Sequence, residues 1–304
     1  MRVCTSAGVA TMSVTVESAG STDIGRVRKN NEDHFLIADL VKQLRVTQTS
    51  LLPSEDGGWK AGVTGHLFVV ADGMGGMSGG EVASGLAVET ISWYVAKTMP
   101  WFYRHQDGRE VELEHELRNA VRVTQDTVKD AAEHSRFRRM GTTLTLACLL
   151  WPRIYVVHAG DSRCYIRRGD TLTRLTTDHT LAQRAVDEGV LTASQAEAAG
   201  LGHALWNCIG AGQKDVTPEL HHTTLQVGDE LLLCTDGLTR RLTDENLLAI
   251  LKRSDSPARA VKALIEAANE AGGQDNITAI VARTGQVDDP NATKTHTIAL
   301  SRAV

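Results

Sequence analysis

Apolar positions along the chain fall into two kinds of pattern. His66-Leu67-Phe68-Val69-Val70-Ala71 is almost unbroken in its hydrophobicity, too apolar for a half-exposed strand and suited to the middle of a sheet covered on both faces. Thr143–Leu150, Ile154–His158 and Arg163–Arg167 form a block of three more strands, and the short turns between them, Trp151-Pro152-Arg153 and Gly160-Asp161-Ser162, imply antiparallel neighbours. Val14–Ser18 alternates as an opening strand, followed by a polar segment from Ser21 to Asp33; Glu230–Thr235 and Ile277–Ala282 return to strand character late in the chain. Helical spacing appears instead at Val82, Ala83, Leu86, Ala87, Ile91 and Val95 between Gly80 and Thr98, and at Leu113, Leu117, Val121 and Val128 between Glu112 and Glu133. Two later helices are expected at Thr243–Lys252 and Ser256–Glu270, the second opened by a serine cap and a proline at its first position. Lys42 to Gly65 reads as a hairpin or loop, and Asp178 to His203 as a helical insertion over a sheet edge. No fixed-period repeat is evident. Residues 1–13 and 285–304 lack a pattern and are expected to be tails, leaving one domain at 14–284.

Composition narrows the class of protein. The chain has 304 residues and a formal charge of -5, which argues against a nucleic-acid binder working by phosphate neutralisation. Cys4, Cys148, Cys164, Cys208 and Cys234 are odd in number and widely spaced, so they suggest neither a disulfide framework nor a zinc knuckle and fit a reducing cytoplasm. No stretch approaches the roughly 18 uninterrupted apolar residues of a membrane span, and a soluble, cytoplasmic protein is expected.

The chemistry lies where strands end. Asn31-Glu32-Asp33, Asp72-Gly73, Asp236-Gly237 and Asp275-Asn276 each put an acidic residue at the edge of an apolar run. One Asp-Gly alone reads most simply as a hairpin turn. At Asp72-Gly73-Met74-Gly75-Gly76, however, glycines continue up to a helix, leaving the backbone open and letting the Gly73 carbonyl approach a cation beside the Asp72 carboxylate. Gathering this many carboxylates without cations would raise several of their pKa values. Two divalent ions roughly 3.5–4 Å apart can hold a bridging water and clamp the oxygens of a phosphoryl group, with Asp72 as the bridging ligand and Arg28 as a bidentate phosphate contact.

These residues, with Thr22-Asp23-Ile24-Gly25, Gly141-Thr142-Thr143, His158-Ala159-Gly160-Asp161-Ser162-Arg163 and Asp275-Asn276-Ile277-Thr278, resemble the ordered motif set of the metal-dependent PP2C (PPM) protein phosphatases of the bacterial type, over about Val16 to Val281. The resemblance implies an α+β fold, a four-layer α-β-β-α sandwich of two antiparallel sheets with a dinuclear Mn²⁺ or Mg²⁺ site at one end. It implies that Asp72 bridges both metals, that Asp236 and Asp275 complete the first, and that the Gly73 carbonyl with Glu32 or Asp33 serves the second. Asp161 matches a residue that helps hold a third, weaker metal; the competing reading pairs it with Arg163 in its turn. Residues 178–203 correspond to the family's flap, which borders the substrate groove. Asp72, Arg28 and Asp236 are the catalytic candidates, and phosphoserine or phosphothreonine would be hydrolysed by attack of a metal-bridging water. Where many relatives carry a histidine after the Asp-Gly, this chain has Met74, so the general acid is unassigned. The implied partners are Ser/Thr-phosphorylated proteins, a Ser/Thr kinase among them.

Two rival readings stand beside this one: a catalytically weak PP2C-fold regulatory or binding module, and a phosphatase of small phosphoesters. Several residues have simpler readings. His158 is expected to be packed or bonded to backbone. Arg136, Arg138, Arg139, Arg240 and Arg241 are read as solvated faces. Trp93, Trp101, Trp151 and Trp206 are assigned to packing, and so is Cys234, which lacks the downstream arginine loop of a cysteine-dependent phosphatase.

Overall fold

Strand β3 (Trp59–Met74) and its partner β2 (Asp33–Leu44) set up the first of two sheets in the computed structural model, which describes residues 14–44, 59–76, 79–98 and 110–286. On β3, Leu67, Val69 and Ala71 face one side and Phe68 and Val70 the other, and all five are buried. That two-sided burial is why the run is apolar without alternation. Helices α1 (Gly79–Thr98) and α2 (Glu110–Glu133) cover the first side, packing Ala83, Ala87, Ile91, Leu113, Leu117 and Val121 onto it. All four apolar positions expected for α2 are buried, whereas Val82 of α1 faces outward.

The sheet continues through β4 (Gly141–Thr142), β5 (Leu144–Leu150), β6 (Arg153–Ala159), β9 (Ile209–Gly210) and β10 (Glu219–Thr224). Its order is β10-β6-β5-β3-β4-β9, with β2 on β3. The second sheet has the order β1-β12-β11-β7-β8, built from β1 (Val14–Asp23), β7 (Arg163–Arg168), β8 (Thr171–Arg174), β11 (Glu230–Cys234) and β12 (Ile277–Gln286). Every named pairing is antiparallel. Phe68, Val70 and Val156 meet Cys164, Leu231, Leu233 and Ile280 between the sheets. The outer face of the second sheet is covered by α5 (Asp236–Thr239), α6 (Asp244–Arg253) and α7 (Pro257–Glu270), whose Leu247, Val261 and Leu264 pack on Leu232, Ala279 and Val281. Helices, sheet, sheet, helices: the four-layer α+β sandwich is as expected.

The cap expected at Ser256 is formed, and Thr243 caps α6 in the same way, each hydroxyl accepting the amide three residues on. The insertion carries α3 (Leu181–Asp187) and α4 (Ala193–Ala198), followed by a 3-10 turn at Leu201–His203. Several features depart from the sequence pattern. Strand β2 was hidden because bulges near Leu40 and Gln43 interrupt its alternation. Strand β10 was hidden because its sequence, Glu219-Leu220-His221-His222-Thr223-Thr224, is polar. Strand β12 runs to Gln286, past the expected end of the domain, because Gly285 and Gln286 pair with Thr15 and Val14 of β1. The expected tail at 1–13, residues 287–304 of the tail expected at 285–304, Cys4 and Trp101 lie outside the described residues. No helix among the described residues is long and apolar enough to cross a membrane.

Candidate metal centre

The rims of both sheets meet at one end of the sandwich, and the strand-end acids arrive there together. Asp33 begins β2 directly across the ladder from Asp72 at the end of β3. Asp236 follows β11, and Asp275 and Asn276 precede β12. Asp33 is buried, and its Oδ2 accepts from Thr235 Oγ1 at 2.8 Å and from Thr278 Oγ1 at 2.7 Å. Its Oδ1 is buried with no hydrogen-bond partner among the described residues, and so is Oδ1 of Asp236. Burying a carboxylate oxygen without a partner costs several kcal/mol in an uncharged protein, so two of them in one ring of acids mark a place made for a cation.

The electrostatics agree. Burial, followed by the repulsion of Asp33, Asp236, Asp161 and Asp275, holds the Asp72 carboxyl well above its ordinary range. Asp33 is pushed up to about 7 by burial, against the pull of its two threonine hydroxyls and with the help of Asp236 and Asp275. Asp236 is also raised, chiefly by burial, and so is Glu32, for the same reason and against the influence of Arg28. Each acid makes its neighbours harder to ionise, and divalent cations remove that conflict.

Backbone contacts fix the site. Thr142 Oγ1 and the Thr143 amide both donate to the Asp72 carbonyl at 2.9 Å, while the Asp72 amide donates to Thr143 Oγ1. The Gly141-Thr142-Thr143 motif therefore clamps the bridging candidate rather than contributing chemistry of its own. The Gly73 amide donates to the Glu32 carbonyl at 3.1 Å, and a Cβ on Gly73 would lie 2.2 Å from the Gly80 carbonyl oxygen. Only glycine fits there. Asn276, which the sequence reading quoted without a role, ties the front of the chain to the site: its Nδ2 donates to the Ile24 and Asn30 carbonyls and its Oδ1 accepts the Glu32 amide at 2.8 Å. That loop carries Arg28, whose Nη2 donates to Asp275 Oδ2 at 2.7 Å while the side chain remains 52% exposed. A carboxylate ring and a half-free guanidinium on its edge can hold cations and receive an anion beside them.

The profile of the family described as "Protein phosphatase 2C" matches residues 50–281. The chain belongs to the protein phosphatase 2C family. It is 32% identical to the serine/threonine protein phosphatase PstP of Mycobacterium tuberculosis over 90% of its own length and 46% of that protein's, so it spans about half of that relative. It is 30% identical to the protein phosphatase PhpP of Streptococcus pneumoniae over 88% of its own length and 97% of that protein's. The crystal structure of M. tuberculosis PstP superposes with a TM-score of 0.69 at 32% identity, covering 88% of this chain and 98% of that one. A crystal structure of the PstP catalytic domain in complex with two manganese ions superposes with a TM-score of 0.66 at 29% identity, covering 90% of this chain and 100% of the other.

Within this phosphatase 2C domain, several side chains sit differently from the sequence reading. Asp161 does not pair with Arg163. Arg163 instead forms a bidentate pair with Asp178, at 2.8 and 2.6 Å, and Asp161 meets Arg240 Nη2 at 3.2 Å. Arg240 is exposed as expected but not merely solvated, since it also reaches Asp236 Oδ2 at 2.5 Å. Burial and the nearby Asp236 push Asp161 up to about 7 even so. Trp93 is not packed in the core; it is 60% exposed, with Lys97 Nζ 4.4 Å from its ring centre. Cys234 is buried in the α7-facing core as expected.

His158, His179 and Glu219 form a compact group whose ligand-type atoms lie within 4.8 Å of one another. Its hydrogen bonds leave no lone pair for a metal. His158 Nε2 donates to the Gly160 and Thr177 carbonyls, and its Nδ1 is 2.8 Å from Thr145 Oγ1. His179 Nδ1 accepts from the Gly160 amide and Asn207 Nδ2, which leaves its Nε2–H to face Glu219 at 3.4 Å. This group supports the Gly160-Asp161 turn, in keeping with the backbone-bonded role expected for His158. Between that turn and the insertion lies a groove of about 550 Å³, bounded by Asp161, Arg163, Asp236 and Arg240 on one side and by Gln183, Val186 and Ala196 on the other.

Proposed function

We propose that this chain removes phosphate from phosphoserine and phosphothreonine in proteins, using two Mn²⁺ or Mg²⁺ ions held by Asp72, Asp236, Asp275, Asp33, Glu32 and the Gly73 carbonyl. The observation that carries the reading is the pair of buried oxygens without a partner among the described residues, Asp33 Oδ1 and Asp236 Oδ1, beside the Asp72 and Asp33 carboxyls that burial first, and then neighbouring acids, hold above their ordinary range. When bound, the ions supply charge neutralisation and an activated water for in-line attack on phosphorus. Arg28 orients the phosphoryl group: one edge of its guanidinium is held by Asp275, and its remaining N–H groups, which have no partner among the described residues, can take phosphoryl oxygens in a fork. Thr235 and Thr278 fix the rotamer of Asp33 by hydroxyl donation, while Thr142 and Thr143 fix the backbone of Asp72. Met74 offers no proton, so no side chain at that position serves the leaving alkoxide. The groove beside the insertion is the place where residues flanking the phosphoresidue would lie, and selectivity would reside there.

The names of the relatives, one a serine/threonine protein phosphatase and the other a protein phosphatase, support a phosphoprotein substrate over a small phosphoester; a Ser/Thr kinase as one substrate and a cytoplasmic setting extend that reading. Residues 14–286 form the proposed catalytic domain. The test is Mn²⁺-dependent turnover of a phosphothreonine peptide against small phosphomonoesters. Asp72→Asn and Asp236→Asn are expected to lose about 10²-fold or more in kcat/KM, the order of magnitude expected when transition-state charge stabilisation is removed. Turnover surviving in both variants, or unaffected by a chelator, would sink the reading, and a strong preference for small esters would move the substrate class.

A further inference from the structure

Asp161 and Asp236 come from neighbouring strand ends, since Arg163 and Cys234 are register partners on β7 and β11. Both are buried. Among the described residues the one ion-pair partner given to Asp161 is Arg240, which follows α5 and stands four residues after Asp236. Its Nη2 lies 3.2 Å from Asp161 Oδ2 and 2.5 Å from Asp236 Oδ2, so a single guanidinium nitrogen bridges the two carboxylates. Its Nη1 donates to Nδ1 of His203, in the 3-10 turn that ends the insertion. A guanidinium is always charged, and its flat fork can serve both acids and the imidazole at once, which a lysine ammonium on its flexible stem is less suited to do.

Two buried acids that share one cation offer the oxygen pair a divalent ion would otherwise take. We propose that Arg240 is a built-in counter-ion: it fills the outer end of the carboxylate cluster between Asp161 and Asp236, excludes a further divalent ion there, and latches the insertion through His203. A third ion binds only when Arg240 swings away, and its departure frees the 201–203 turn. Occupancy of the outer site and position of the insertion are then one equilibrium, with Arg240 holding it at the closed, two-ion end. This inference rests on the two-ion reading above, shares Asp236 with it and adds Asp161 and Arg240.

Calorimetric titration with Mn²⁺ alone, paired with loss of the free Mn²⁺ EPR signal, tests it on the full chain. Wild type is expected to take up two ions. Arg240→Ala and Arg240→Gln are expected to take up a third, with affinity raised roughly tenfold or more by removal of a unit positive charge next to the ion; adding Asp161→Asn to Arg240→Gln should abolish that ion. The glutamine variant keeps the length of the side chain, and its circular dichroism reports whether it folds. Two ions in every protein, or three already in wild type, would overturn the inference and leave the two-ion reading intact. No ion in wild type would overturn the two-ion reading and this inference with it. Amide exchange over residues 201–203 should quicken in Arg240→Gln and His203→Ala, and unchanged exchange there would overturn the latch.

Discussion

Gly237 sits so close to the chain before β12 that a Cβ would lie 1.9 Å from the Asn276 carbonyl oxygen. The glycine after Asp236 is therefore a packing requirement as well as a turn residue: it lets α5 seat Asp236 against Asp275 and Asn276. Gly237→Ala is expected to destabilise by on the order of 2–3 kcal/mol, because backbone must move to admit the methyl group. Gly202, which has open space around its Cα and an ordinary φ, is the control; Gly202→Ala should stay within about 0.5 kcal/mol. Urea midpoints at constant m-value check both, and equal effects would show that crowding at Gly237 is relieved elsewhere. At the same scale, the arginines divide by partner. Arg28 keeps half its surface for an anion, Arg163 spends its fork on Asp178, and Arg240 spends its own on the two outer acids.

Helices differ in what they contribute. Helix α7 begins with Ser256 accepting the Arg259 amide and Pro257 in the first turn, and it buries Val261, Leu264 and Ile265 against the second sheet. Helix α3 is capped by Thr180 yet buries no side chain, and its Leu181 is 40% exposed. Stability is thus concentrated in the helix-on-sheet layers, and the insertion over the groove is held by few apolar contacts, as an element that adapts to a substrate must be. Leu264→Ala, at a site with 0% exposure, is expected to cost about 2–5 kcal/mol from lost burial and the cavity left behind. Leu181→Ala should cost under about 1 kcal/mol by the same reasoning. Thermal unfolding of the two variants separates them, and comparable losses would place the insertion within the cooperative core.

Across the molecule, the acid ring ties stability to pH and to metal. Asp33 and Asp161 have folded-state pKa values raised to about 7 by burial and by neighbouring acids. A raised folded value means that the metal-free folded state holds protons the unfolded chain has released, so this contribution is fully present below the unfolded carboxylate range and is lost as pH rises through about 7. His158 acts in the opposite direction: burial first, and then the adjacent His179, lowers it to about 4, so its contribution is lost as pH falls below the ordinary histidine value. Between about pH 4 and 7 the two acids outweigh the one histidine, so the metal-free protein is expected to melt highest at pH 5 and lower, by a few °C, at pH 8. Saturating Mn²⁺ should remove the loss on the alkaline side, because cations take the place of the protons. Calorimetric melting at pH 5, 6, 7 and 8 with and without Mn²⁺ checks this, and a metal-free protein most stable at pH 8 would contradict it.

The central strands, the paired helices and the strand-end acids were legible in the sequence because each is written in local terms: an apolar run covered on both faces, a 3.6-residue stripe, an acid followed by glycine. Bulged β2 and polar β10 were not, since irregular pairing and partial burial erase the period that marks a strand. The choice of partners was not legible either. Nothing local to Asp161 or Arg240 says that they meet across 79 residues, and nothing local to His158 says that its lone pair is already taken by Thr145. Which atoms converge is decided by the register of two sheets and by the depth at which their rims close. The amino-acid order therefore determined the layers and the acids available for metal, whereas only the folded chain decided which oxygens are left without a partner and which cation stands in for one, because desolvation acts on groups gathered from every part of the chain.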